Sequence, residues 1–490
     1  MTFDAPPQSA DGRLAIQTPC RLATLGIACL LICGCPTPKD PTPRPESAEP
    51  TWQRETVSPE PSAVEITARL NGVGDLAHAS PEERELAPEV IHRPDDDRPE
   101  HDYERLAKLG VQRYESPHFE LLTDIDPAIA ESLPPMVEQL FASFVDYFGE
   151  LPPSRDGRVY QITGYLIGDM DRFAAAGLLP DDLPLFEHGR HRGQEFWMQD
   201  QEFDYYRRHL LFHEATHCYT MAMPGPYPPT WYLEGVAELF ATHRGNESGQ
   251  LTFRVMPDES SDFRGLGRIE MIQDEIAAGR LLTLAQVGQL GNRAFSESRS
   301  IPYAWSWALC KFLDTHPRYQ DRFRELARHL EGNEFTRLLA TTFEPDRELI
   351  AAEWLEFARR LRLGTDITAD AFQVVETRTW DERKTSLEVA AKLGWQSTGL
   401  VLASGVDYHL SASGEVVLAQ DPKPWRSEPQ GITIRYAAGV PMGRLLAGVV
   451  PTSADGQKQF GSDFPVYAVG REGTLRLRAA GTLFLRVNDF

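Results

Sequence analysis

Cysteine is scarce in this chain of 490 residues: there are six, and four of them, Cys20, Cys29, Cys33 and Cys35, fall within the first 35 positions. That leaves Cys218 and Cys310 for everything else. Two cysteines make no disulfide framework, so the fold has to rest on buried apolar surface. The pair either bridges in an oxidising compartment or sits as neighbouring buried thiols. Positive charge is also short. With 49 Lys and Arg against 72 Asp and Glu, the net charge is −23. A surface of that sign repels phosphate backbones and excludes nucleic acid as a partner. Long apolar runs are lacking as well: Leu22–Ile32 is too short for a spanning helix.

That run has a meaning of its own. It follows Arg13 and Arg21 and leads into Ile32-Cys33-Gly34-Cys35. The segment is similar to a bacterial lipobox, with Cys35 as the lipidated residue. A plain signal peptide and an uncleaved anchor are the alternatives. On the first reading residues 1–34 are a lipoprotein-type signal peptide. The protein is then expected to be exported and held to a bacterial cell envelope by a lipid anchor at Cys35. Next comes Pro36-Thr37-Pro38-Lys39-Asp40-Pro41-Thr42-Pro43-Arg44-Pro45, where proline is dense enough to favour extended polyproline II. The chain stays polar and Pro-rich to about Arg98, and Asp95-Asp96-Asp97 is expected to be solvated. Residues 35–105 therefore read as a tether.

The densest chemical signal is His213-Glu214-Ala215-Thr216-His217, followed by Trp231-Tyr232-Leu233-Glu234-Gly235. On a helix, His213 and His217 lie one turn apart on the same face. Two such imidazoles can share one Zn²⁺, with Glu214 handling the proton of a metal-bound water. The flanking residues suit helices. Phe203 to Phe212 contain neither Gly nor Pro, and the proline-rich stretch from Pro224 to Pro229 ends the first helix. Thr230 is the expected N-cap of a second helix, about Trp231–His243. Glu234 and Glu238 share a face of it. Glu234 is assigned to the metal, because it comes first and small Gly235 permits close approach. Glu238 then accepts the ring N–H of a ligating histidine. Cys218 is turned about 100° from His217 and is not counted as a ligand. The alternative is an ordinary amphipathic helix pair with a chance His-x-x-x-His.

HEATH with WYLEGVAE resembles the gluzincin arrangement of the peptidase-MA-like clan, including bacterial secreted proteins of that type. The resemblance covers about residues 115–360. It implies His213, His217 and Glu234 as zinc ligands, Glu214 as general base and Glu238 as the acid behind a ligand. The Ser116–Thr123 strand, a helix ending near Phe148-Gly149, the Tyr160–Ile167 strand and the Tyr303–Leu309 helix follow the same arrangement. The chain departs from the clan's aminopeptidases in a shorter gap between His217 and Glu234, in Leu233 where many have Asn, and in lacking a G-x-M-E-N-like segment. Those departures argue against exopeptidase specificity and leave the metal site untouched.

The implied chemistry is metal-assisted hydrolysis of a peptide bond, with a peptide or protein as substrate. Tyr303 is the candidate donor to the oxyanion, or else a tyrosine packed in a helical core. His243 is an alternative donor, or a cation favoured by the helix end. Gln194–Gln199 reads as an edge strand, either bland or able to pair with an extended peptide.

Beyond the site, Gly245–Gly265 reads as a polar connection and Ile269–Leu282 as a helix. From Ser300 to Arg362 three apolar helical stripes follow: Ala308, Leu309, Phe312 and Leu313; Phe323, Leu326, Ala327 and Leu330; Ile350, Trp354, Phe357 and Ala358. After Gly364, short strand-like runs spaced by Gly, Pro, Asp and Ser suggest an all-β sandwich. Pro441–Ala447 and Gly481–Asp489 are similar to the galactose-binding-like jelly roll of certain bacterial lectins. Trp395, Trp425 and Tyr408 offer either a carbohydrate platform or core aromatics, so the sandwich has a carbohydrate or a protein contact as its candidate role. The calcium loop of those lectins lies beyond their Asn-Asp pair, so sugar and calcium binding are not carried over.

The expected fold is multidomain. An α+β zincin-like catalytic domain with a mostly helical C-terminal half spans 106–363, and an all-β sandwich spans 371–490. The expected function is a zinc-dependent peptidase with one Zn²⁺ per chain. The alternatives are a non-catalytic zincin-like binding module on the cell envelope and a zinc amidase acting on cell-wall cross-links.

Overall fold

The computed structural model describes residues 91–489 apart from 184–185, 187, 224–227, 246–247, 258–266, 299, 331, 382–383, 421–422, 453–459 and 461–463. Cys35, the segment expected to be a signal peptide and most of the expected tether lie outside the described residues. The described residues all fall in one compact unit.

Helix α1 (Tyr103–Lys108) leads into five strands: β1 (Gln112–Glu115), β2 (Phe119–Thr123), β3 (Ile162–Ile167), β4 (Gly189–Arg192) and β5 (Glu195–Gln199). They form one sheet in the order β1-β2-β3-β5-β4. The central pairs β2–β3 and β3–β5 are parallel, and the outer pairs are antiparallel. The parallel strands read as unbroken buried runs because both faces are covered. Helices α2 (Pro127–Ala130) and α3 (Leu133–Phe148) join β2 to β3, and α4 (Met170–Ala176) follows β3. Gln194–Gln199 was expected at an edge. It is paired on both sides instead, and the edge belongs to β4.

The metal-motif helix is α5 (Asp204–Met221), and α6 (Thr230–Ala241) follows it. Pro229, not Thr230, occupies the extended position ahead of α6 (φ −55°, ψ 145°). The Thr230 hydroxyl instead meets Asn292 Oδ1 at 2.6 Å. The helix stops at Ala241, two residues short of expectation, because Thr242 turns extended and the chain enters a hairpin of β6 (His243–Gly245) and β7 (Leu251–Phe253). The hairpin begins at the expected helix end, and its second strand lies within the stretch read as a polar connection. Gly235 does not make room for a metal. A Cβ there would stand 2.6 Å from both Cys310 Sγ and the Ser306 carbonyl oxygen, so the glycine lets α6 lie against a later helix.

The helical part continues through α7 (Arg268–Ala277), α8 (Leu284–Val287), α9 (Asn292–Ser298), α10 (Ser300–Thr315), α11 (Gln320–Leu326), α12 (Gly332–Phe343), α13 (Arg347–Arg360) and α14 (Ile367–Asp370). The three expected stripes are buried in one core with the α5–α6 pair and the inner face of the sheet. Cys218 and Cys310 are both buried and free.

The C-terminal part is all strands: β8 (Arg378–Thr379), β9 (Gln396–Leu402), β10 (Asp407–Ser411), β11 (Val416–Ala419), β12 (Trp425–Ser427), β13 (Gln430–Ala437), β14 (Val440–Pro451), β15 (Val466–Ala468), β16 (Glu472–Arg476) and β17 (Gly481–Val487). Six form a sheet in the order β13-β14-β17-β9-β8, with β15 on β14, and β10–β16 and β11–β12 form separate pairs. Alternation along β14 and β17 divides the side chains between two cores. Leu445, Ala447, Val449, Leu483 and Leu485 pack with Tyr408 and Leu475. Leu446, Val450 and Phe484 pack with Trp395 and with Leu349 and Ala352 of α13, so the strands share a core with the helices.

Three further expectations are corrected. Trp395 and Tyr408 are buried in different clusters, and Trp425 lies under Arg435, so the three build no common platform. Asp96 is not free in solvent: it pairs with Arg98 at 2.7 Å, and that arginine reaches Thr163 Oγ1 at 3.1 Å. Arg93 is buried, its Nη1 donating to the Pro152 carbonyl at 3.1 Å, so the last part of the expected tether is held against the sheet domain. Among the described residues no helix is long and apolar enough to cross a membrane.

Candidate metal centre

Helix α5 packs across β3, β5 and β4, which buries the residues from Leu211 to Thr220. The i, i+4 spacing carries His213 and His217 to one face, and α6 crosses that face with Glu234 in its first half. Three ligand atoms converge. His217 Nε2 lies 3.1 Å from His213 Nε2 and 3.2 Å from Glu234 Oε2, and His213 Nε2 lies 3.4 Å from that oxygen. Ligands held tetrahedrally at about 2.0–2.2 Å from one centre stand about 3.3–3.6 Å apart. The observed triangle is one face of such a tetrahedron, slightly contracted. Among the described residues it is the one group of three or more His, Cys, Asp or Glu close enough to hold a metal ion. Both histidines are buried, while the Glu234 side chain keeps 17% exposure, so water reaches the triangle from that side.

The surroundings keep the carboxylates charged. Burial alone would raise the Glu234 carboxyl, but the charge of His217 and the hydrogen bonds of both imidazoles hold it far below its ordinary range. Glu238 is fully buried, and burial opposes its charge too. The Arg268 guanidinium and His209 outweigh that and hold it well down. Its Oε1 lies 3.3 Å from His213 Nδ1, near enough for an ion pair though not aligned as a hydrogen bond. This is the place expected for the acid behind a ligand.

Glu214 projects toward β4. Burial raises its carboxyl, and hydrogen bonding to His191 with the charges of His213 and His191 brings it below its ordinary value. Its Oε2 accepts from His191 Nδ1 at 3.2 Å. Cys218 turns away and reaches the Glu195 carbonyl at 3.6 Å, consistent with its exclusion as a ligand.

Tyr303 opens α10 beside the triangle, its ring centroid 6.0 Å from that of His213. Burial first, then the charges of Glu234, Glu238 and Glu214, push its hydroxyl far above the ordinary tyrosine value. It therefore keeps its proton, and it has no hydrogen-bond partner among the described residues. His243 is corrected: it is no helix-end cation and no free donor. It starts β6, buried and stacked on Tyr205 at 4.7 Å. Burial and the charges of Arg208 and His209 push it down to about 3 against the pull of the Ala241 carbonyl. Its Nδ1 donates to that carbonyl at 2.8 Å, and Nε2 accepts from Arg208 Nε at 3.1 Å, so both nitrogens are committed.

Sequence reasoning missed His191 and Arg268. His191 stands in His188-Gly189-Arg190-His191-Arg192-Gly193, which has no apolar alternation to mark it as a strand. Arg268 follows a stretch read as a connection. Only tertiary register brings either to the site.

No protein-family model matches the chain, and a search of curated proteins finds no matching relative.

Proposed function

We propose that this protein is a zinc-dependent hydrolase of gluzincin type that cleaves peptide bonds. The observation that carries the reading is the triangle of His213 Nε2, His217 Nε2 and Glu234 Oε2, with edges of 3.1–3.4 Å, beside the buried carboxylate of Glu214. Two imidazole nitrogens and one carboxylate oxygen suit Zn²⁺ and leave one tetrahedral position for water or substrate. When bound, the ion supplies Lewis acidity to a water and to the scissile carbonyl. Glu214 accepts the proton of the attacking water and returns it to the leaving amine. Tyr303 keeps its proton and donates to the oxyanion. Glu238 steadies His213 from behind.

The mixed sheet with α5 against it, and α6 packed on α5, supports the zincin-like reading of the first part. The six-stranded sheet and the β10–β16 pair, closing over one core, support a two-layer sandwich for the second. Anchoring through a lipid at Cys35 belongs to the same proposal.

The test is metal content and turnover. Protein purified without chelator should hold one zinc per chain, and less than stoichiometric zinc sinks the enzyme reading. Glu214→Gln should keep the zinc and cleave a peptide library about 10²–10⁴-fold more slowly than wild type. Zinc retained with no peptide cleaved by wild type means that the substrate is not a peptide.

A further inference from the structure

The edge strand β4 is built around the carboxylate of Glu214. Gly189 and His191 are two residues apart and so face the same side of the strand. Both address this side chain. A Cβ at Gly189 would stand 2.3 Å from Glu214 Oε1, so the bare backbone leaves the space that this oxygen fills. His191 Nδ1 lies 3.2 Å from the other oxygen, Oε2. Since a carboxylate can only accept, Nδ1 is the donor. The ring is fixed from its other side too, stacked on His217 with centroids 4.1 Å apart and planes 27° apart. Strand β4 is in turn pinned by pairing to β5, Gly189 opposite Met198 and His191 opposite Phe196.

We propose that His191 is a positioning residue for Glu214, holding the carboxylate of the base in one orientation beside the metal triangle. The inference rests on the peptidase reading above. A glutamate has three rotatable bonds, and a displacement of about 1 Å in a reacting group costs on the order of 10²-fold in rate. The Nδ1–H contact and the Gly189 wall remove that freedom.

The experiment uses the full chain loaded with one equivalent of zinc and a quenched-fluorescence peptide that the wild type cleaves. His191→Leu should lower kcat about 30- to 100-fold, with KM and zinc content within twofold of wild type. His191→Asn, whose amide N–H stands where Nδ1 stands, should recover most of that loss. A kcat within twofold in His191→Leu overturns the proposal while leaving the peptidase reading intact. Loss of zinc or of the cooperative melt in both variants also overturns it, since His191 is then structural. A second readout needs no turnover. In protein labelled with ¹⁵N-histidine, the Nδ1 proton of His191 should be visible downfield in wild type and should move upfield or exchange away in Glu214→Ala. An unchanged signal overturns the contact, whether or not any peptide is cleaved.

Discussion

Arg268 grips Glu238 with two nitrogens, Nε to Oε2 at 2.8 Å and Nη2 to Oε1 at 2.7 Å. The same Oε1 lies 3.3 Å from His213 Nδ1, so the arginine acts on the candidate ligand through one carboxylate. A planar fork fixes both oxygens at once, which an ammonium cannot do. Arg268→Leu leaves a buried carboxylate without its strongest partner, and Arg268→Lys restores charge but not orientation. Zinc affinity, measured by competition with a chromophoric chelator, should fall about 10- to 100-fold in Arg268→Leu. Arg268→Lys should fall between that variant and wild type. Unchanged affinity in both would mean that Glu238 does not need the arginine to hold His213.

Glu234 and Glu238 sit one turn apart on α6, yet they have different tasks. Glu234 Oε2 is a corner of the triangle, and Glu238 reaches it only through His213. Glu234→Ala should therefore lose zinc more completely than Glu238→Ala, which keeps all three ligand atoms. Zinc stoichiometry after dialysis against a weak chelator reads the difference. The reverse order would show that ligand and supporting acid have been exchanged.

How far the sequence reached can be judged residue by residue. Spacing alone brought His213 and His217 to one face of a helix, because the 3.6-residue repeat leaves little choice. Glu234 was reachable because the prolines between Met223 and Thr230 have to end the first helix before the second begins. Gly235 was given the wrong neighbour: a glycine announces close approach, but not what approaches, and here it is Ser306 and Cys310. The edge of the sheet was misplaced because β4 is a basic, Gly-flanked segment whose pairing comes from β5 rather than from its own pattern. His243 was read from its place at a helix end. Its state is set instead by burial among Tyr205, Phe212 and Arg208. Local periodicity is legible in sequence, whereas register between distant strands is not.

Tyr303 separates a chemical role from a packing role cleanly. Tyr303→Phe removes one oxygen and leaves the ring against His213 and Phe295. If the hydroxyl donates to the oxyanion, kcat should fall about 10²- to 10³-fold with zinc content and melting temperature unchanged. A variant with full kcat would return Tyr303 to the helical core.

Acid and arginine side chains join the helical part to the strands, and their balance is uneven. Glu356 of α13, Asp370 of α14 and Asp489 beyond β17 face Arg360 and Arg486, with Arg486 Nη1 2.6 Å from Glu356 Oε1 and Arg360 Nη2 2.9 Å from Asp489 Oδ1. Arg362 adds its charge nearby. Burial first, with the charges of Asp489 and Glu356 behind it, pushes Asp370 up to about 6 against the pull of Arg360. Burial also raises Glu356 and Asp489. A carboxyl raised by folding favours the folded state in its protonated form. That contribution is full below the unfolded value of about 3.9 and is lost as pH climbs through about 6. Wild type should therefore lose about 2 kcal/mol relative to Asp370→Asn between pH 4 and 7, with most of the change between pH 4 and 6. Guanidinium unfolding of both proteins across that range measures it, using full-length chain so that the shared core of α13 and the strands is present. Curves for the two proteins that stay parallel with pH would mean that Asp370 titrates normally and that the arginines already balance all three acids.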